Sequence, residues 1–208
     1  MEVREIMDES TKEVKVGQKV PDIKITYYDP NKKGFGQINL YDILKQGKWV
    51  VFFFYPADFT FVCPTELADI NAKYNELTKE NVEVITCSTD TQYVHLAWCR
   101  DEPLLKDFKW KMAADPTGTI SRIFGVYDES SGLALRGTFI INPDGILVGS
   151  EINHYSVGRN AEELVRKIKA FQYVYKHPDE ACPAKWEPGK KTLKPGPEIV
   201  GRVGEVLK

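Results

Sequence analysis

WVVFFFYPADFTFVCPTE, residues 49–66, largely determines the architecture of this chain. Residues 49–55 are all apolar and lie between a glycine and a proline, as expected for a central strand that is covered on both faces. Apolar side chains then recur at helical spacing, at Leu67, Ile70, Tyr74 and Leu77. This pattern predicts an amphipathic helix from residue 64 to about residue 79. Cys63 therefore lies where a buried strand ends and a helix begins.

Strands and helices alternate along the rest of the chain. An extended segment is predicted at residues 20–28, strands at residues 82–88, 111–114, 137–141 and 146–152, and helices at residues 91–101 and 160–175. Residues 142–145, with the sequence NPDG, are predicted to form the turn of a β-hairpin. Residues 32–36 are predicted to form a turn or loop, and their two glycines lack the third glycine of a dinucleotide-binding loop.

This order of elements predicts the fold class. A βαβ half followed by a β-hairpin and a closing helix is typical of an α/β, thioredoxin-like fold, with a mixed central sheet and helices on both faces. Residues 177–208 are rich in proline and glycine, so they are expected to form a C-terminal arm rather than a core layer. We therefore predict one domain at residues 1–176, including a charged N-terminal extension, and an arm at residues 177–208.

The composition argues against several classes of function. The 208-residue chain has a formal net charge of −2 and no dense run of Lys or Arg, so nucleic-acid binding is not expected. Its longest strongly apolar stretch, residues 49–55, is far shorter than the roughly 20 residues that cross a bilayer. The N-terminus lacks the pattern of a secretory signal, so a cytoplasmic location is expected. The three histidines are scattered, and neither a metal nor another cofactor is predicted.

The four cysteines, Cys63, Cys87, Cys99 and Cys182, contain no C-x-x-C pair. Cys63 is the candidate nucleophile, because the unpaired N–H groups at a helix start carry partial positive charge and favour a thiolate. Cys87 shares a predicted strand face with Ile85 and is interpreted as a buried structural residue. Cys99 is interpreted in the same way, with exposure on its predicted helix as the alternative.

A helix terminus alone does not make a cysteine reactive. A thiol with an ordinary pKa near 8.5 is only a few per cent ionised at neutral pH. A helix start contributes about 0.3 to 1 kcal/mol, and about 2 kcal/mol at best. A guanidinium about 4 Å from the sulfur adds up to about 4 kcal/mol at an effective dielectric constant near 20. Arg136, at the start of a predicted strand, is the candidate cation; a solvent-facing strand arginine is the alternative. Thr60, three residues before Cys63, is predicted to donate to the thiolate or to a peroxide oxygen.

Two motifs carry a resemblance to a known family. Residues 56–66, with Pro56, Thr60 and Cys63 at P-x-x-x-T-x-x-C spacing, resemble the peroxidatic motif of peroxiredoxins. Residues 181–186, ACPAKW, resemble the resolving-cysteine motif of the typical two-cysteine class. The likeness covers nearly the whole chain and is closest to the alkyl hydroperoxide reductase small subunit and its thioredoxin-peroxidase relatives.

The resemblance implies a thiol-specific peroxidase that reduces hydrogen peroxide and organic hydroperoxides in antioxidant defence. Cys63 would be oxidised to a sulfenic acid, while Thr60 and Arg136 position the peroxide. Pro56 would shield the thiolate from water. Glu66 would orient Arg136; a first-turn acidic residue favoured by the helix dipole is the alternative.

The resemblance also implies further residues and partners. Arg159 would be a supporting charge, and Cys182 of a second subunit would form a disulfide with Cys63. The implied assembly is a homodimer, with five dimers in a ring, and the implied reductant is a dithiol protein, either thioredoxin or a dedicated flavoprotein. Relatives that are easily overoxidised carry a Gly-Gly-Leu-Gly loop and a C-terminal Tyr-Phe pair. This chain contains neither motif, which implies resistance to overoxidation.

Two other classes of function are alternatives to the peroxidase. Some relatives in this family hold unfolded proteins, but nothing in the sequence marks a chaperone or redox-signalling module. A thioredoxin-like disulfide oxidoreductase is disfavoured by the missing C-x-x-C pair. Consumption of peroxide with a dithiol donor distinguishes the three.

Overall fold

The computed structural model describes residues 13–207. The predicted N-terminal extension lies outside the described residues as far as residue 12. The chain divides into two compact units, one ending at Arg159 and one beginning at Asn160. The predicted boundary after residue 176 differs from this division, in which the last long helix belongs with the C-terminal segment, and it stays a prediction.

The first unit is built on a mixed sheet with the strand order β2-β1-β5-β4-β3-β8-β9. Its strands are β1 (Lys24–Asp29), β2 (Gly34–Asn39), β3 (Trp49–Phe54), β4 (Val82–Ser88), β5 (Lys111–Ala114), β8 (Arg136–Ile141) and β9 (Leu147–Asn153). A separate two-stranded ribbon pairs β6 (Tyr127–Asp128) with β7 (Leu133–Ala134). The helices of this unit are α1 (Leu40–Leu44), α2 (Cys63–Ala72), α3 (Tyr74–Lys79), α4 (Gln92–Asp101) and α5 (Thr119–Ile123).

Strand β3 lies inside the sheet, as its apolar sequence predicts. All six of its residues are buried, and it pairs in parallel with β4 and antiparallel with β8. The antiparallel register pairs Phe53 with Thr138. Arg136, at the start of β8, therefore lies next to the C-terminal end of β3. The topology thus brings Arg136 towards the segment that leads from β3 to Cys63.

Helices cover both faces of the sheet, because side chains at successive strand positions point to opposite faces. Phe54 lies in the main core cluster together with Leu40 of α1 and Ile120 of α5. The next residue, Tyr55, points to the other face, where its ring centroid is 5.8 Å from that of Trp98 in α4. This arrangement agrees with the predicted α/β architecture.

The structure corrects two local predictions. The turn expected at residues 32–36 ends earlier, because β2 begins at Gly34 and its residues pair in register with β1. The helix expected at residues 64–79 begins at Cys63 and is broken at Lys73, whose backbone has φ −91° and ψ 7°. Apolar spacing does not reveal the break, because Ile70 before it and Leu77 after it are both buried.

The second unit begins with the helix α6 (Ala161–Lys176). The side chain of Asn160 caps this helix by accepting the N–H groups of Glu162 and Glu163, at 2.8 and 3.4 Å. The following arm is mostly irregular, with a short bridge between Ala181 and Leu193 and a last helix α7 (Val203–Val206). Among the described residues, no helix has the length and apolar character that crossing a membrane requires.

Candidate active site

Cys63 is the first residue of α2 and is completely buried. Its sulfur therefore lies where the C-terminal end of β3 is close to the start of this helix. Pro64 follows in the first turn, where its missing N–H costs no hydrogen bond. The first N–H groups of a helix have no intrahelical acceptor and carry partial positive charge. The predicted position of Cys63 at a helix start is therefore the position that the structure shows.

Arg136 points at the sulfur. Its Nη1 atom lies 3.5 Å from Cys63 Sγ and also donates to Glu66 Oε2 at 2.6 Å. The side chain of Arg136 is only 4% exposed, which excludes the solvent-facing alternative. The buried guanidinium is therefore placed where it can stabilise negative charge on the sulfur, because water screens such a pair poorly.

Glu66 is held by two arginines. Arg159 donates to Glu66 Oε1 from Nε at 2.8 Å and to Oε2 from Nη2 at 3.0 Å, and its backbone N–H donates to Oε1 at 2.8 Å. The Glu66 side chain is 1% exposed, so the helix-dipole alternative does not account for its partners. Burial lowers the pKa of Arg159, although Glu66 acts in the opposite direction. The two guanidinium groups and the carboxylate form a buried ion cluster.

Both guanidinium groups are also held by contacts other than those with Glu66. Arg136 Nε donates to the carbonyl oxygen of Tyr155 at 2.7 Å. Arg159 Nη1 donates to the carbonyl oxygen of Gly137 at 2.8 Å, and the guanidinium lies 3.5 Å from the ring centroid of Phe53. Neither arginine can turn away from Glu66 without breaking these contacts, so the cluster is preorganised.

Thr60 differs from its prediction in one respect. Its Oγ1 donates to the carbonyl oxygen of Ala57 at 2.8 Å, so its proton is not directed at Cys63. The oxygen keeps lone pairs and can accept a hydrogen bond from another group. Pro56 is buried and lies two residues after the end of β3. Between these two residues, Phe59 has a left-handed backbone with φ 55°, which turns the segment before it reaches the helix.

A buried polar cluster that the sequence did not reveal braces this same segment. Asp58 accepts a hydrogen bond from the Tyr55 hydroxyl at 2.7 Å, and its other oxygen lies 2.7 Å from His95 Nδ1. Its backbone N–H donates to Asp90 at 2.8 Å. His95 Nε2 lies 3.1 Å from the carbonyl oxygen of Ala113. The spacing of Tyr55 and Asp58 was visible in the sequence, but no sequence signal paired either residue with His95.

The other two cysteines of the first unit, Cys87 and Cys99, lie in surroundings that disfavour a reactive thiolate. Cys87 is completely buried, and burial raises the pKa of its thiol well above the usual range. Burial raises the pKa of Cys99 to about 12, and its thiol contacts Met112 Sδ at 3.3 Å. Both groups therefore stay protonated at neutral pH. The structural interpretation of both residues fits this geometry.

Cys182 lies in the second unit and is partly exposed. Its thiol contacts the carbonyl oxygen of Ala170 in α6 at 3.8 Å, and it lines a cleft of about 450 Å³ together with Phe171 and Val174. Burial, and then the charge of Glu180, raise the pKa of this thiol. In the described residues no disulfide is present. No group of three or more His, Cys, Asp or Glu in that part of the chain could hold a metal ion.

Comparison with known proteins identifies the family of this chain. The AhpC/TSA family model matches residues 16–150, and the model for the C-terminal domain of 1-Cys peroxiredoxin matches residues 170–205. The chain belongs to the AhpC/TSA family. As a member of this family it is a thiol-dependent peroxidase of the peroxiredoxin class.

Individual relatives support this family assignment. The chain is 51% identical to alkyl hydroperoxide reductase C of Staphylococcus aureus over 85% of this chain and 92% of that protein. The crystal structure of Enterococcus faecalis AhpC is 47% identical and superposes with a TM-score of 0.76, covering 81% of this chain and 98% of that one. The reduced 2-Cys peroxiredoxin of Plasmodium vivax is 33% identical, with a TM-score of 0.85 over 91% and 98% of the two chains. The predicted thioredoxin-like fold is thereby confirmed.

Proposed function

We propose that Cys63 is the peroxidatic nucleophile and that Arg136 stabilises both its thiolate and the charge that develops on the leaving oxygen. The observation that carries this proposal is the 3.5 Å contact between Arg136 Nη1 and Cys63 Sγ at the start of α2. Glu66 and Arg159 are the positioning residues that hold Arg136 in that orientation. The static charge cluster lowers the barrier because it does not have to reorganise during the reaction.

The chemical step is a displacement at oxygen. The Cys63 thiolate attacks the terminal oxygen of a hydroperoxide, an S–O bond forms, the O–O bond breaks, and Cys63 becomes a sulfenic acid. The leaving oxygen departs with the electron pair and takes up a proton from the solvent, to give water or an alcohol. Thr60 Oγ1, whose own proton is donated to Ala57, accepts a hydrogen bond from the peroxide O–H. Pro56 is proposed to keep bulk water from the sulfur.

We propose that the Cys182 thiol of a second copy then condenses with the sulfenic acid, which forms a disulfide and releases water. The partly exposed, Pro-rich setting of Cys182 supports this role, because the arm has few regular hydrogen bonds to break before it moves. A dithiol protein, either thioredoxin or a dedicated flavoprotein, is proposed to reduce the disulfide in the cytoplasm. The proposed assembly is a homodimer, with five dimers in a ring. Hydrogen peroxide and organic hydroperoxides are the proposed substrates, and peroxide defence the biological role.

A non-reducing gel tests the two-cysteine cycle. Treatment with one equivalent of peroxide should convert the protein to a covalent dimer, which returns to monomer with a dithiol reductant. Cys182→Ser should prevent the dimer band but still consume the first equivalent of peroxide, whereas Cys63→Ser should prevent both. A monomer with an internal bond between Cys63 and Cys182, found by peptide mapping, would show that the two-subunit assignment is wrong.

A further inference from the structure

The segment between β9 and α6 supplies one wall of the active site. Its contacts are made by the Tyr155 carbonyl, which accepts from Arg136 Nε at 2.7 Å, and by Arg159, whose backbone N–H and side chain donate to Glu66. Strand β9 ends at Asn153 and α6 begins at Ala161, so regular hydrogen bonding does not fix this segment. Its position must depend on side chains.

The side chain of Tyr155 provides such an anchor. Its hydroxyl donates to Asp128 Oδ2 at 2.6 Å and lies 2.8 Å from Ser131 Oγ. Asp128 Oδ1 accepts the backbone N–H and the hydroxyl of Ser130, at 2.9 and 2.6 Å. These hydrogen bonds, that of the Ser130 hydroxyl first, hold the pKa of Asp128 below its usual range. Partial burial, and then the bond to Asp128, raise the pKa of Tyr155, so the phenol remains a donor to a carboxylate.

The chain connections make this anchor relevant to Arg136. Asp128 lies in the β6–β7 ribbon, and β7 ends only two residues before Arg136. The bond from Tyr155 to Asp128 therefore ties the segment after β9 to the ribbon that leads into β8. The phenol and the carbonyl that holds Arg136 belong to the same residue, so anchoring the ring restricts the positions that the carbonyl can take.

We infer that Tyr155 and Asp128 form a positioning pair, which acts through Arg136 on the reactivity of Cys63. This inference rests on the role proposed above for Arg136. Without the phenol anchor, the Tyr155 carbonyl is less well placed, the guanidinium turns more freely about Glu66, and Nη1 spends less time beside the sulfur. Reaction rates are sensitive to such displacements, because the stabilising group must already be in place when the transition state forms.

The first test is Tyr155→Phe, which removes only the hydroxyl. An ordinary hydrogen bond changes an equilibrium by a factor of about 2 to 12, and we expect the second-order rate constant of Cys63 oxidation by hydrogen peroxide to fall by a factor in that range. The pH midpoint of Cys63 alkylation by iodoacetamide should move upward in the same variant. Asp128→Asn should reproduce both changes. Tyr41→Phe is the matched control, because it removes a hydroxyl that donates to the Val20 carbonyl at 2.9 Å, and it should change neither quantity.

The second test separates this inference from the proposed function by combining Tyr155→Phe with Arg136→Lys. Lysine has no Nε atom to meet the Tyr155 carbonyl, so Tyr155→Phe should have no further effect in that background. If Arg136→Lys alone leaves the rate unchanged, the proposed role of Arg136 is wrong. If Arg136→Lys lowers the rate while Tyr155→Phe has no effect in the wild type, or the same effect in both backgrounds, the positioning pair is wrong. Loss of melting temperature without a shift in the alkylation midpoint would also contradict it, since that marks a purely structural role.

Discussion

At the scale of single residues, the environment of each cysteine sets its chemistry. Cys63 lies beside a guanidinium at a helix start, whereas Cys87 and Cys99 lie in apolar surroundings that raise the pKa of their thiols. The same functional group therefore has a different reactivity at each position.

The first prediction concerns these three cysteines. Cys63→Ser should abolish peroxidase activity, while Cys87→Ser and Cys99→Ser should retain most of it, because only Cys63 faces Arg136. At neutral pH in the reduced native protein, iodoacetamide should label Cys63 well before Cys99, whose pKa of about 12 leaves almost no thiolate. Mass spectrometry of timed alkylation measures this order. A fully active Cys63→Ser protein would show that Cys63 is not the nucleophile and that the proposed mechanism is wrong.

A second prediction concerns Glu66. Glu66→Gln leaves two buried guanidinium groups without their carboxylate, and breaking a buried pair in this way typically costs about 3 to 5 kcal/mol. We expect a loss of that order in the free energy of unfolding by urea, together with slower oxidation of Cys63. Glu163→Gln is the control, because its pair with Arg166 is partly exposed and should be worth at most about 1 kcal/mol. Equal losses in both variants would contradict the central role of the Glu66 cluster.

The sequence predicted part of this site on physical grounds. The end of a buried strand pointed to Cys63, and the need for a cation pointed to Arg136, with a solvent-facing arginine as an alternative that only the structure excludes. Glu66 and Arg159 came only from resemblance to a family, because they lie far apart in the chain and no local pattern joins them. The contact of Arg136 with the Tyr155 carbonyl was not predictable, since every residue carries a carbonyl and only the fold selects one.

At the scale of elements, alternation and apolar runs predicted most strands. The hairpin of β8 and β9 and the buried strands β3, β4 and β5 lie where they were expected, within a residue at their ends. The β6–β7 ribbon was missed, because two-residue strands are too short to show a period. The ribbon nevertheless contributes the Asp128 carboxylate, which accepts hydrogen bonds from its own turn and from Tyr155.

The third prediction uses the pH dependence of this ribbon. The pKa of Asp128 is lower in the folded protein than its unfolded value near 3.9, so the group stabilises the fold above that pH. The contribution is lost as the pH falls towards the folded pKa. The stability difference between wild type and Asp128→Asn should therefore be constant from about pH 5 to 7 and shrink below about pH 4. Urea titrations at several pH values measure it, and a difference that persists unchanged at pH 3 would rule out the ionised form as the stabilising species.

At the scale of the whole molecule, oxidation of Cys63 leads to a competition. In the proposed cycle, the sulfenic acid reacts either with Cys182 of a second copy or with another peroxide molecule, and the second reaction gives a sulfinic acid. Because Cys63 is completely buried, the proposed disulfide requires the start of α2 to open, and packing over that helix should slow this step. The chain has no Gly-Gly and no Tyr-Phe pair, and its last helix, α7, has no buried residue.

The fourth prediction follows from this competition. Under turnover with saturating reductant, the wild type should show little Cys63 sulfinate until peroxide reaches roughly millimolar excess, because disulfide formation wins. Cys182→Ser should overoxidise readily, because its sulfenic acid has no thiol to meet. Intact-protein mass spectrometry measures both. Half-inactivation of the wild type at low micromolar peroxide would mean that other packing holds the Cys63 turn closed.

The two arginines and one glutamate around Cys63 also have a consequence in charge balance. Together they carry one excess positive charge, which a thiolate neutralises and a neutral sulfenic acid does not. A buried uncompensated charge is costly, so oxidation to the sulfenic acid should weaken the packing around Cys63 and favour the opening that the proposed disulfide with Cys182 of a second copy requires. A negatively charged sulfinate should restore neutrality and favour the buried position of Cys63. Amide hydrogen exchange in the first turn of α2 should accordingly be faster in Cys63→Ser than in Cys63→Asp, and the reverse order would show that electroneutrality does not govern this opening.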